Sequence, residues 1–363
     1  QELNKNYDCV QELIIGKLYV EVENILKDIF DIERLEHKIP LGYLHPYELA
    51  ILYQSYEQIN KLIDIIDNTK YCREYCPDKK SINLLHNFKK DIDDIFNYEE
   101  LKKHNLTEIT TNIFNKGVCK DIDKIEDEIF KLNNFINFLK DALCEYAEDK
   151  SKKKNVDKDT LISIKKNERD GHYLNITKIR CNVLKKNLEK VKTLNVGSSK
   201  VDPKNLIFKE NNNNVKIILP DLEEKSDQIK EQENIMRNLN MKNYLLKLKD
   251  VYDKYNIMFK TFNKFVSLID YLKSNAKSAL LFGYSRPIIE YNKDSSFIEC
   301  AKLRHPIIER LIDHEYIPHD MKIGKDLKGI LLYGLNSSGK CFDPNTLIKM
   351  HNGSHKKAKD IIK

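Results

Sequence analysis

Tryptophan is absent from the 363 residues, and glycine (11), proline (9) and methionine (5) are sparse. So little turn-forming glycine argues against an all-β architecture. No apolar run approaches the roughly 18 residues that a membrane-spanning helix needs. Gln1-Glu2-Leu3 does not open a secretory signal either. The expectation is a soluble, intracellular protein of the nucleus, the cytoplasm or a viral factory, neither secreted nor membrane-bound. A helical pattern that begins directly on Gln1 is expected of a chain cut at its front. The eight cysteines are scattered, and Cys72 and Cys76 have no second Cys/His pair nearby to complete a zinc site. Reduced thiols and no metal centre are expected.

Apolar residues make up 41% of the chain and charged residues 33%, a helix-rich balance. The formal net charge of +6 is too modest to establish a nucleic-acid partner by itself. Local pattern says more. From about Val20 to Asp67 the rhythm is helical, with a break at Pro40-Leu41-Gly42 and a restart at His45-Pro46, where proline suits a first helical turn. Ser81–Asn115 is helical but less regular.

Ile122, Ile125, Ile129, Leu132, Ile136, Leu139, Leu143 and Tyr146 then recur in steps of three and four, a heptad seam. A second seam runs through Leu245, Leu248, Tyr252, Tyr255, Phe259, Phe262, Val266 and Ile269. Two such helices about a hundred residues apart imply an antiparallel pair with an insert at its tip, or else two unrelated core helices.

The insert changes texture. Tyr173, Asn175 and Thr177 alternate after an Asp170-Gly171 turn, and NLIFKENNNNVKIILP gives two short strands across an asparagine-rich turn. Lys165, Lys166, Arg169, Lys178, Arg180, Lys185 and Lys186 are dense enough to face a phosphate backbone. Charge alone is equally met by a solvated lysine surface. After Asp270 come strand-like runs at IIEYN, SFIEC, YIPHDMKIG and KGILLYG. The last leads into Gly334-Leu335-Asn336-Ser337-Ser338-Gly339-Lys340, the spacing of a phosphate-binding loop after an apolar strand.

Four blocks in order, YSRPIIE (284–290), IECAKLRHPIIE (298–309), EYIPHD (315–320) and GILLYGLNSSGK (329–340), resemble the MutS family of DNA mismatch-repair ATPases. DIFDIERLEHKIPLGYLHPYELAILYQS (28–55) is similar to that family's helical core, and NERDGHYLNITKIR (167–180) to its clamp. The resemblance implies a mainly α fold with α+β parts. Its parts are a helical core (1–119), a descending lever (120–154), a DNA-binding clamp (155–222), an ascending lever (223–280) and the start of an ABC-type ATPase domain (281–340).

It further implies that Gly334 through Lys340 cradle ATP phosphates. Backbone N–H groups face the anion, and Lys340 reaches the β and γ oxygens. Tyr316 falls at the adenine platform with Ile317 beside it, and His319 stands where asparagine is usual. The expected partners are double-stranded DNA and a second MutS-family subunit. ATP with Mg2+ is expected in the completed protein. The family's metal and water-activating residues follow Lys340 and find no match here, so this stretch by itself is not expected to hydrolyse ATP. The alternatives are a MutS-like recombination-junction protein and a chromosome-organising coiled-coil ATPase. In the latter class the phosphate loop precedes the coil; here it follows.

Cys341 stands where the loop needs Ser or Thr. CFDPNTLIKMHNGSHKKAKDII (341–362) resembles the beginning of an intein: a nucleophilic cysteine, a turn, a strand, an Asn352-Gly353 hairpin turn and a returning segment. A thiolate at Cys341 can attack the Lys340 carbonyl to give a thioester. Splicing ends on a Ser, Thr or Cys, and the loop needs Ser or Thr, so one hydroxyl serves both. The competing reading, a degenerate loop with Cys341 replacing serine, fails on Asn345, Thr346 and the Asn-Gly turn, which do not continue a helix. A carboxy-terminal intein half is the expected further partner.

Overall fold

The computed structural model describes residues 2–148, 161–167, 171–211, 213–290, 296–324, 327, 329, 347–349 and 354–357. Contacts divide the chain into two units, Gln1–Arg286 and Pro287–Lys363.

The first unit is mainly helical. Its body is built from α1 (Glu2–Ile15), α2 (Leu18–Lys27), α3 (Ile32–Leu41), α4 (Pro46–Asp67), α5 (Lys79–Ile95) and α6 (Tyr98–Leu101). Local chemistry sets their ends. The Asp31 carboxylate accepts the Arg34 N–H at 3.1 Å to cap α3, and Asp78 caps α5 through the Ser81 N–H at 2.8 Å. α3 stops at Gly42, whose φ of +72° is a left-handed cap. α4 restarts with Pro46 in its first turn, and the Glu48 carboxylate accepts the His45 N–H at 3.1 Å. The expected break and restart are where the sequence put them.

Two long helices follow, α7 (Lys120–Ala147) and, after the insert, an unbroken 63-residue helix from Pro220 to Phe282. At 1.5 Å per residue the latter is about 95 Å long. They run antiparallel. Lys225 lies over the Phe135 ring, whereas Asn240 donates to the Thr111 carbonyl near the start of α7. The two heptad seams do not face each other, however. The first seam splits between two cores: Ile122 joins the helical body, and Ile136, Leu139 and Leu143 join the insert. The second is buried within the body, where Tyr255, Phe259 and Phe262 interlock edge-on or tilted with Tyr56 and Phe88, ring centroids 5.2–6.0 Å apart. Coiled-coil spacing and the inner stripe of a buried helix look alike in sequence.

The insert has its own core. β1 (Ile162–Asn167), β2 (Gly171–Thr177), β5 (Ile207–Asn211) and β6 (Asn214–Ile218) make one antiparallel sheet in the order β1-β2-β6-β5. β3 (Leu194–Val196) and β4 (Ser199–Val201) form a separate hairpin. Helix α8 (Lys178–Leu188) follows β2 directly, a helix that the strand-like reading of that stretch missed. Leu174, Ile176, Val215 and Ile217 of the sheet bury against Leu184 of α8, Leu139 of α7 and Ile229 of the 63-residue helix, hereafter α9.

In the second unit β7 (Ile298–Leu303) and β8 (His319–Ile323) pair antiparallel with an irregularity between Cys300 and Leu303; the short helix α10 (Ile308–Leu311) lies between them in sequence. SFIEC and YIPHDMKIG are thus strands in part. Ile288–Glu290 of IIEYN is not, and the rest of that run and most of KGILLYG lie outside the described residues. β9 (Leu347–Lys349) and β10 (His355–Lys357) pair antiparallel with Leu347 opposite Lys357. No helix among the described residues is long and apolar enough to cross a membrane. No group of three metal-ligating side chains occurs among them, and their seven cysteines are free.

Candidate nucleic-acid interface

Strand alternation gives the insert's sheet two unlike faces. Cross-strand partners share a face, so the register defines each. One face carries Phe208, Ile217 and Leu174 in a row, with Val215 and Ile176 in the next, and this is the buried side. On the other face Lys209 stands opposite Lys216, Lys216 opposite Asn175, and Asn175 opposite Ser163. In the adjoining row Tyr173 is opposite Lys165. Lys165 and Lys209 are exposed, and the Lys216 ammonium sits 4.5 Å from the Tyr173 ring centroid. Three lysines, a tyrosine and an asparagine thus share one outward surface.

Of the seven basic residues proposed from the sequence, the structure puts only Lys165 there. Lys166 points to the opposite face, where its ammonium bridges both Glu233 carboxylate oxygens at 2.7 and 2.8 Å. Lys178 pairs with Glu210 at 3.1 Å, and Lys185 lies 4.9 Å over the Phe208 ring. Arg180 and Lys186 are on α8, in the layer beneath the sheet. Arg169 lies outside the described residues. Lys209 and Lys216 were missed, although the alternation Asn214-Val215-Lys216-Ile217 carries their signal. Counting lysines along the chain groups neighbours in sequence, whereas the pleat sends them to opposite sides.

The inner end of the β1–β2 hairpin is fastened to α9. The His172 N–H donates to the Ser226 hydroxyl at 2.6 Å. Burial, aided by the Lys166 and Lys230 ammonium groups and opposed by Glu233, holds the His172 imidazole below its usual range.

On the nucleotide side, Gly334, Leu335, Asn336, Ser337, Ser338, Gly339, Lys340 and Cys341 lie outside the described residues. Tyr316 is half-buried and Ile317 exposed just before β8, and His319 opens that strand opposite Leu303. In the Arg304-His305-Pro306 block, His305 Nδ1 accepts the Ile307 and Ile308 N–H groups at 3.3 and 3.2 Å, starting the turn into α10. Arg304 pairs with Glu309 at 3.4 Å.

No family model matches the chain. Curated proteins do. A mutS homolog of Acanthamoeba polyphaga mimivirus is 28% identical over 337 residues, 89% of this chain and 29% of that protein. The DNA mismatch repair protein MutS of Caldicellulosiruptor saccharolyticus is 24% identical over 93% of the chain, and that of Clostridium kluyveri 26% over 93%. The chain is thus similar to MutS proteins over about nine-tenths of its length. It spans about a third of the length of these relatives, 29–36%.

Proposed function

We propose that this MutS-family segment grips duplex DNA through the outer face of the tip sheet and belongs to a mismatch-repair ATPase acting as a dimer. The observation that carries the reading is the shared face of Lys165, Lys209 and Lys216 with Tyr173 and Asn175. Ammonium groups spaced across adjacent strands suit a phosphate backbone. Among the described residues this face presents ammonium groups and a single amide, Asn175, which fits positioning on DNA rather than sequence reading.

The experiment is binding of the full chain to duplex DNA across a salt series. Affinity should fall steeply as salt rises, because each neutralised phosphate releases counterions. Lys165→Ala, Lys209→Ala and Lys216→Ala should each reduce the slope of log affinity against log salt by about one. Absent or salt-insensitive binding defeats the reading.

For the nucleotide, Gly334 through Lys340 would hold the ATP phosphates, and Tyr316, half-exposed before β8, fits an aromatic platform for adenine. Bound ATP with Mg2+ would supply the phosphoryl group whose hydrolysis drives the family's cycle. No residue of this chain is assigned to the metal.

We place the start of an intein at Cys341. The antiparallel pairing of Leu347–Lys349 with His355–Lys357 supports it, because a phosphate-loop helix would occupy that stretch instead. Reading the coding sequence past Lys363 tests it. An intein body with a Thr-x-x-His block and a terminal His-Asn, then Ser or Thr resuming a helix, is expected; a direct continuation of the ATPase overturns it.

A further inference from the structure

The hairpin that carries Lys165 meets α9 through an unusually close contact. Gly171, with φ of +66°, lies against Ser226: a Cβ at position 171 would fall 2.1 Å from the Ser226 hydroxyl oxygen and 3.2 Å from its Cβ. Ser226 is fully buried, and its oxygen accepts the neighbouring His172 N–H at 2.6 Å. One residue pair along the ladder, Lys166 stands directly opposite His172 and bridges to Glu233. Ser226 and Glu233 are seven residues apart, two turns on one side of α9. Both strands of the hairpin are therefore anchored to the same stripe of the long helix. The anchoring residues, Lys166 and His172, point inward; Lys165 and Tyr173, their neighbours in sequence, consequently point outward.

We propose that Ser226 and Gly171 form a seat that fixes the register of this hairpin on α9. On the reading of the tip as a DNA grip, the seat positions the outer lysine face without touching the phosphates. The physical basis is the two-residue period of a strand: a shift of one position would exchange the inward and outward sets. The seat opposes that shift in two ways. Its depth admits no side chain at 171, and its hydroxyl accepts the half-buried His172 N–H. Ser226 and Gly171 act as positioning residues.

The test is a double-mutant cycle in the full chain, read by DNA affinity across salt. Ser226→Ala, Ser226→Gly and Gly171→Ala should each lower affinity about three- to tenfold. The salt slope should stay that of the wild type, unlike the reduced slope of Lys165→Ala. Gly171→Ala combined with Ser226→Gly should lose less than the two changes added together, because the glycine removes the atoms the alanine strikes. Hydrogen exchange at the His172 amide, faster in Ser226→Ala with the helical body unchanged, reports the seat without DNA. Wild-type affinity in the single variants, strict additivity in the cycle, or a slope that falls as for Lys165→Ala overturns the seat. A wild-type chain that does not bind DNA instead overturns the grip itself, and exchange at His172 then decides whether the seat exists.

Discussion

Glu36 of α3 has its carboxyl buried between the Tyr56 hydroxyl, which donates at 2.5 Å, and the Asn263 amide, which donates at 2.7 Å. Among the described residues no cation pairs with it, and burial raises its pKa from 4.5 to about 7, with the two donors pulling the other way. The folded state thus holds a proton that the unfolded chain releases between those values. The stability this proton contributes is complete below about pH 4.5 and is lost as pH rises through about 7. Glu36→Gln should therefore stabilise the protein by about 2–3 kcal/mol at pH 8 and flatten the dependence between pH 5 and 8, measured by urea unfolding. The Asn263 carbonyl oxygen, buried without a partner, becomes an acceptor for the new amide once Asn263 turns over. Nothing in the run DIERLEHK marks Glu36 as buried, since its partners come from positions 56 and 263. The glycines and prolines are different. Gly42 and Pro46 declare a helix end and a helix start through backbone geometry that no distant partner alters.

At the scale of elements, the helices were legible and their partners were not. The three-and-four spacing from Leu245 to Ile269 is real, but its residues meet Tyr56 and Phe88 rather than α7. A stripe records that a face is covered, not what covers it. Of the tip strands, β2, β5 and β6 were readable from alternation and turn residues, whereas β1, β3 and β4 were not. Helix α8 was lost in a lysine-rich stretch with no sharp apolar stripe. Because α9 is buried along the body through most of its length, a proline at exposed Lys249 should cost about 3 kcal/mol or more. It deletes one main-chain hydrogen bond and drives a ring into the preceding turn. Lys249→Ala, which keeps the helix, should be nearly neutral. Equal urea midpoints for the two variants would mean that α9 is not continuous there.

For the molecule as a whole, among the described residues of the first unit there are two apolar cores, one in the helical body and one in the tip, and only α7 and α9 contribute to both. Between Asp221 and Phe282 the sequence has neither glycine nor proline, so nothing in it marks a joint. The azimuth of the lysine surface about the arm is then fixed by residue count alone, at about 100° per residue. Lengthening both helices between the cores by two residues would swing that surface about 200°, to the far side. Lengthening both by seven would return it to within about 20° while carrying it roughly 10 Å outward. If the body and the tip must address the same duplex, the seven-residue version should keep much of its DNA affinity and the two-residue version should lose it. Equal binding by the two would mean that the tip grips DNA in any orientation, as a hand on a swivel rather than a key cut to one lock.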